Sequence, residues 1–198
     1  MTIMKRAQSK RHITFCVALL ALLFARIALG CDQPSTIREA SPEEIRAFFK
    51  GKNMEVLTFL GYSGAEYENK AAMLEQAALI LDKFDPGTTI VNIGATPEGI
   101  GAVYDTAKRK GFLTAGIVST QARENKIKLS PCVDLVFYVR DATWGGFMSG
   151  TERLSPTSTA MVENSDVIVA IGGGEVARDE LIAATHDRAK KSNSSPLT

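Results

Sequence analysis

Asp166-Val-Ile-Val-Ala-Ile171 runs straight into Gly172-Gly173-Gly174-Glu175-Val176-Ala177-Arg178-Asp179-Glu180-Leu181, and this passage decides the fold. Its first half is an unbroken β-branched and apolar run, the composition of a strand buried on both faces of a parallel sheet. Three glycines end it. Lacking Cβ, they let the chain take positive φ and let a ligand lie against bare backbone. Beyond them Ala177, Leu181, Ala184 and Ala189 recur among charged residues and open a helix. A strand, a glycine turn and a helix start together aim unpaired N–H groups and the positive end of the dipole at one spot. That spot suits phosphate, sulfate or carboxylate. The turn also has a purely geometric reading, in which the glycines only make the bend.

Working outward, the same alternation fills the chain between residues 51 and 190. Ser41-Pro-Glu-Glu44 sets an N-cap, a proline at the first helical position and acids in the first turn, and predicts a short lead-in helix through Phe49 within residues 31–50. Met54 to Leu60 is the first strand, closed by Gly61-Tyr62-Ser63-Gly64. Glu66 to Phe84 carries Ala71, Leu74, Ala78 and Leu81 on one stripe and predicts a helix stopped by Asp85-Pro86-Gly87. Thr88 to Ile93 is the second strand, Gly94 to Glu98 its turn, Gly99 to Lys110 a helix with Gly111 as its stop. Leu113 to Ser119, Leu135 to Val139 and Asp166 to Ile171 are the third, fourth and fifth strands. Strands joined by crossover helices imply right-handed βαβ units, and hence a single α/β domain with a doubly wound parallel sheet. The expected strand order is 3-2-1-4-5, with ligand bound at the carboxyl ends beside the switch point. A polar tail, residues 191–198, is expected to fray.

The start of the chain reads as export. Lys5, Arg6, Lys10 and Arg11 precede the apolar run Ile13 to Ala25, and Ala28-Leu29-Gly30 offers small residues for signal peptidase, so residues 1–30 form a signal. The run falls short of the roughly 20 residues of a membrane span. Ile27-Ala28-Leu29-Gly30-Cys31 also looks like a lipobox, in which Cys31 is lipidated and forms the only membrane attachment. Leu29 and Arg26 depart from that pattern, and simple cleavage before Cys31 is the alternative. Either way the expected location is the periplasm or its membrane surface.

Composition narrows the partners. The 23 Lys and Arg against 22 Asp and Glu leave no electrostatic case for nucleic acid. Of the three cysteines, Cys16 leaves with the signal and Cys31 is claimed by the lipobox, which leaves Cys132 as an unpaired, buried thiol and the fold without a disulfide framework. No metal site and no cofactor is expected. Cys132 has no catalytic histidine, since His12 lies in the signal and His186 late in the last helix.

The strand ends carry the binding candidates. Gly94-Ala95-Thr96-Pro97-Glu98-Gly99-Ile100-Gly101 repeats the anion-site logic, but Ile100 and Gly101 stand where a Walker loop needs Lys and Ser or Thr, and the spacing is not a dinucleotide fingerprint. Gly61 and Ser63 add a third turn on the same edge. Thr143 and Trp144 follow the fourth strand, and the indole can stack on a base or pack the loop.

The two glycine turns resemble those of the Lonely Guy phosphoribohydrolases and their wider Rossmann-like nucleotide-binding superfamily, long labelled lysine decarboxylase-like. The family's Gly-Gly-Gly-x-x-Gly-x-Met-Gly turn falls on Gly94, Ala95, Thr96, Gly99, Gly101 and Ala102. Its Pro-Gly-Gly-x-Gly-Thr-x-x-Glu turn falls on Gly172, Gly173, Gly174, Val176, Ala177 and Glu180. The resemblance implies a nucleotide-type ligand, a homodimer and Glu180 as the catalytic carboxylate. It also implies Arg-Lys-x-x-Met before the last strand. Met161 matches, but Thr157 and Ser158 stand in the arginine and lysine places. N-glycosidic hydrolysis asks for a carboxylate with a guanidinium, so the arginine is missing unless Arg153 or Arg178 reaches in. Glu98 and Glu175 add negative charge where phosphate would sit. The reading is therefore an exported nucleotide-binding protein with little or no hydrolase activity. An active phosphoribohydrolase and a non-catalytic envelope interaction module are the alternatives. Lysine decarboxylation has no support, because no lysine sits in a pocket pattern for a pyridoxal phosphate imine.

Overall fold

A computed structural model describes Cys31 and residues 34–194, with side chains described up to residue 186. The predicted signal over residues 1–30 and the tail end over 195–198 lie outside the described residues. Six parallel strands form one sheet in the order β1-β5-β4-β3-β2-β6. They are β1 Thr36–Glu39, β2 Glu55–Gly61, β3 Thr89–Ile93, β4 Leu113–Ser119, β5 Leu135–Val139 and β6 Val167–Ile171. The helices are α1 Pro42–Lys52, α2 Lys70–Leu81, α3 Val103–Arg109 entered through a 3-10 turn Gly99–Ala102, α4 Thr120–Glu124, α5 Pro156–Glu163 and α6 Glu175–Ser194.

Alternation along the central strands explains the two cores. Leu57, Phe59, Val91, Ile93, Val118, Val136 and Tyr138 face α2, α3 and α4, with Met73, Ala77, Leu81, Val103, Tyr104 and Ala122 closing that side. Val56, Leu60, Ile90, Ala115, Ile117, Leu135, Phe137 and Val139 face Ile45 and Phe49 of α1, Ala160 and Met161 of α5 and Ala177 of α6. Burying both faces is what a parallel sheet requires, and the near-continuous apolar runs of β2 to β5 follow from it.

Three differences from the expected fold have physical reasons. The predicted order placed β5 beside β2. The chain instead steps outward from β2 through β3 and β4 to β5, and then returns across the sheet to set β6 on the other side of β2. The switch point therefore lies between β2 and β6. The Asp166–Ile171 run is not doubly buried: β6 is an edge strand in which Val167, Ile168 and Val169 are half-buried and Ala170 is exposed. The lead-in region holds a strand as well as a helix. β1 pairs with β5 but is exposed throughout, so it shows no apolar periodicity; Arg38 lies over the Phe48 and Phe137 rings, and Glu39 pairs with Arg123 and Arg140. The tail starts later than expected, because α6 runs on to Ser194.

Local signals hold where caps exist. Ser41 and Glu44 form a reciprocal capping box at α1, with Glu44 N–H donating to Ser41 Oγ at 3.3 Å and Ser41 N–H to Glu44 Oε2 at 2.7 Å. The predicted helix from Glu66 begins instead at Lys70, because Asn69 caps it through Ala72 N–H at 2.9 Å.

The cysteines are the largest correction. Cys31 and Cys132 form a disulfide across 101 residues of chain, with Cα atoms 4.4 Å apart. Cys132 thus has a partner, and the fold has a covalent staple. One sulfur cannot carry both a lipid thioether and a disulfide, so this pairing displaces lipidation at Cys31. No described helix is long and apolar enough to cross a membrane.

Candidate functional site

The switch point brings two of the predicted turns together. Gly61 at the end of β2 pairs in register with Ile171 at the end of β6, so the turn at Gly61-Tyr62-Ser63-Gly64 and the turn at Gly172 to Gly174 share one edge. The third turn approaches from β3, where Ile100 N–H donates to the Tyr62 carbonyl at 2.7 Å.

These glycines do two different jobs. At Gly173, φ is +125° and an added Cβ would stand 2.6 Å from the Ala177 methyl and 3.4 Å from Gly61 Cα. Gly173 is therefore needed for close strand–helix packing, the geometric reading of the turn. Gly61 and Gly99 are likewise crowded, by the Tyr67 hydroxyl and the Tyr62 carbonyl. Gly94 and Gly174 differ: a Cβ at either would meet nothing within 4 Å. Only these two of the predicted contact glycines present bare backbone to open space, and Gly174 does so at the start of the longest helix.

Two tyrosines roof the switch point. The Tyr67 hydroxyl donates to the Ile171 carbonyl and accepts from Tyr62 N–H at 3.2 Å, and the two rings meet edge-on with centroids 5.3 Å apart. Burial pushes the Tyr67 hydroxyl up from its ordinary value, with the Tyr62 N–H working against it. Tyr62 lies over Gly172 and stays 37% exposed, and Ser63 is exposed beside it. Neither tyrosine figured among the predicted site residues. Their signal was present in the spacing Tyr62 to Tyr67, yet the contact of Tyr67 with Ile171 spans 104 residues.

Other predicted ligand residues spend their polar groups on the chain itself. Ala95 is fully buried with φ of +65°; its N–H donates to the Tyr104 hydroxyl at 3.2 Å and its carbonyl accepts from Ser130 N–H at 2.8 Å. Thr96 packs its carbonyl against Gly101. Thr143 donates its N–H and its hydroxyl to Asp141 Oδ1, both at 2.8 Å. Ala95 and Thr96 belong to the wall of the site, whereas Thr143 is exposed with its N–H and hydroxyl bonded to Asp141.

Asp141 is a residue that sequence reading missed. It is buried after β5, and its second oxygen accepts Thr157 N–H at 2.9 Å in the first turn of α5. Burial alone would raise its carboxyl, but the hydrogen bonds from Thr157 and Thr143 outweigh it and hold the group below its ordinary value. A carboxylate of the chain itself thus occupies the helix start where the resembled enzymes bring an arginine. Thr157 is buried, and its hydroxyl has no partner among the described residues.

Glu180 is sealed. It is 5% exposed, and its Oε1 accepts the Ser158 hydroxyl at 2.6 Å; Ser158 in turn accepts Gly146 N–H at 2.7 Å. Next to it, Asp179 accepts Phe147 N–H at 3.0 Å and Arg178 at 3.1 Å. Burial pushes Glu180 up to about 7, the Ser158 hydroxyl opposes this, and the Asp179 carboxylate adds to it. The backbone of Gly145 to Phe147 lies over this acid, and Gly145 sits against Val176 of α6. Arg178, offered as a substitute guanidinium, serves Asp179. Among the described residues no guanidinium is hydrogen-bonded to Glu180. Trp144 stands at the rim of this loop, 53% exposed.

A concave surface of about 1180 Å³ lies at the opposite edge, by the amino ends of β2 and β6. Arg46 and Glu163 in its wall pair with each other, and it touches none of the glycine turns. Volume alone therefore does not locate the site.

No family model and no curated protein matches this chain. Several solved structures do. A protein solved as TM1055 is 20% identical with a TM-score of 0.45, over 66% of this chain and 68% of that one. The molybdenum cofactor carrier protein of Chlamydomonas reinhardtii is 19% identical with a TM-score of 0.48, over 68% of this chain and 73% of that one. The molybdenum cofactor binding protein of the phototrophic bacterium Rippkaea orientalis is 17% identical with a TM-score of 0.49, over 68% and 72%.

Proposed function

We propose that the chain is an exported protein that binds a nucleotide-type small molecule at the carboxyl edge between β2 and β6 and does not hydrolyse it. One contrast carries this reading. Gly174 after β6 and Gly94 after neighbouring β3 face open space, whereas Glu180 is shut beneath Gly145 to Phe147 and, among the described residues, is bonded by Ser158 and by no guanidinium. The α6 start offers N–H groups to one anionic group, and the exposed rings of Tyr62 and Trp144 offer stacking surfaces for a planar base. The acids Glu98 and Glu175 disfavour a heavily phosphorylated ligand there. Export is supported by the Cys31–Cys132 disulfide, a bond that persists in oxidising compartments. The homodimer implied by the resemblance is part of the reading, and light scattering tests it.

The direct test uses the only tryptophan as a reporter. AMP, adenosine and ATP are titrated against the purified protein while Trp144 fluorescence is followed, and small molecules retained through purification are identified by mass spectrometry. Saturable quenching that is lost in Gly174→Val supports the site. Retained binding in that variant places the ligand elsewhere.

A further inference from the structure

The disulfide has a third neighbour. Cys31 Sγ, Cys132 Sγ and a carboxylate oxygen of Asp105 all lie within 4.8 Å of one another. We propose that these three side chains form a zinc-class divalent cation site that alternates with the disulfide. Two thiolates and one carboxylate suit Zn²⁺ or Cd²⁺, with bonds of roughly 2.3 Å to sulfur and 2.0–2.2 Å to oxygen, and leave a fourth position for water. The ligands come from the segment before β1, from α3 and from the turn before β5, so the ion would join the same parts of the fold as the covalent bond does.

The surroundings are built for it. Cys132 is held at both sides of its peptide: its N–H donates to Ser130 Oγ at 3.2 Å and its carbonyl accepts the Thr114 hydroxyl at 2.9 Å. Lys108, one turn on from Asp105 in α3, is engaged by Asp134 at 2.8 Å. Arg109 sits on Asp105 at 2.9 Å in an exposed pair, and an arriving ion displaces it at little cost. Cys132 is buried while the Asp105 side chain is half exposed, so the ion enters from the Asp105 side.

The exchange balances. A dithiol reductant gives two electrons and two protons to the disulfide and is itself oxidised to a disulfide; the cation then replaces the two thiol protons. In reverse, a small-molecule disulfide takes two electrons from the bound thiolates. It leaves as two thiols after gaining two protons, and the cation is released as the protein disulfide re-forms.

The test reduces the full chain with a phosphine under argon and titrates it with Cd²⁺ and Co²⁺. The expected result is one equivalent of thiolate-to-metal charge-transfer absorption, with affinity falling at least about tenfold in Asp105→Asn, the size of loss that even an outer partner causes. Adding oxidised dithiothreitol releases the metal and returns the disulfide by mass. Asp105 is exposed, so its variant keeps the fold, which circular dichroism checks. No band after reduction overturns the proposal. So does a band of equal affinity in Asp105→Asn, because two thiols then chelate without a site.

Discussion

The two halves of the carboxyl edge differ in what faces outward. At the ends of β3, β2 and β6, Gly94 and Gly174 leave backbone bare and Tyr62 leaves a ring exposed. Where the first turn of α5 meets the second turn of α6, by contrast, Asp141, Thr157, Ser158 and Glu180 are buried, with Asp141 accepting Thr157 N–H and Glu180 accepting the Ser158 hydroxyl. The first half can receive a ligand. In the second half Glu180 is held inside the fold by the Ser158 hydroxyl. Under the proposed function, binding and turnover would rest on different groups of residues.

Breaking the closed half should have the largest effect. Asp141→Ala removes the acceptor of three donors, two from Thr143 and one from Thr157, and should cost about 3 kcal/mol or more of stability by urea denaturation. Loss under about 1 kcal/mol would mean that water replaces the carboxylate, and that this half is more open than described. Thr157→Arg, which would introduce the arginine of the resembled enzymes, enters a buried place whose N–H is already bonded to Asp141. It should destabilise by about 1–3 kcal/mol without conferring activity.

Two of the buried acids, Glu180 and Asp141, give opposite pH dependences. Glu180 has its folded value raised from 4.5 to about 7, so the native state holds a proton that the unfolded chain has lost within that window. Stability therefore falls as pH rises from 4.5 to about 7 and levels off above, by up to about 3 kcal/mol at full burial. Asp141 is shifted downward, so its contribution is present above its ordinary 3.8 and is lost as pH falls through the lowered value. Glu180→Gln should flatten the upper limb and leave the acid limb in place. An unchanged upper limb would show that Glu180 is not the sealed acid.

The contrast among glycines is sharper in kind and smaller in size. Gly173→Ala meets the Ala177 methyl with φ at +125° and should cost about 2 kcal/mol. Gly174→Ala meets nothing and should change stability by under about 0.5 kcal/mol, while weakening ligand binding. Equal losses at both would remove the distinction between packing glycine and contact glycine. Smallest of all, Trp144→Ala should leave the melting temperature alone and reduce only the affinity for planar ligands.

These differences mark where sequence is legible. β2 to β6 could be read because each is a compact apolar run, and α1 because Ser41 and Glu44 cap it locally. The same Ser-Pro start precedes α5 at Ser155-Pro156, a signal that could have been used. Strand order could not be read. The long passage from Val139 to Val167 fits a return to either side of β2, and only packing chooses. β1 was hidden because its exposed residues carry no pattern. At the site the glycines were legible as turns, but which of them face space depends on Ala177, Tyr62 and Tyr67. Asp141 and Tyr67 act through partners 16 and 104 residues away, and Cys31 reaches Cys132 across 101. No local rule joins residues at such distances.

The most direct test of binding without turnover measures both in one preparation. The protein is mixed with AMP, binding is followed by calorimetry, and released adenine is quantified by chromatography, for wild type and Glu180→Gln. The account predicts saturable binding in both and no adenine above the enzyme-free control. Steady adenine release by wild type that collapses in Glu180→Gln would contradict it, and would make the sealed acid a catalytic one.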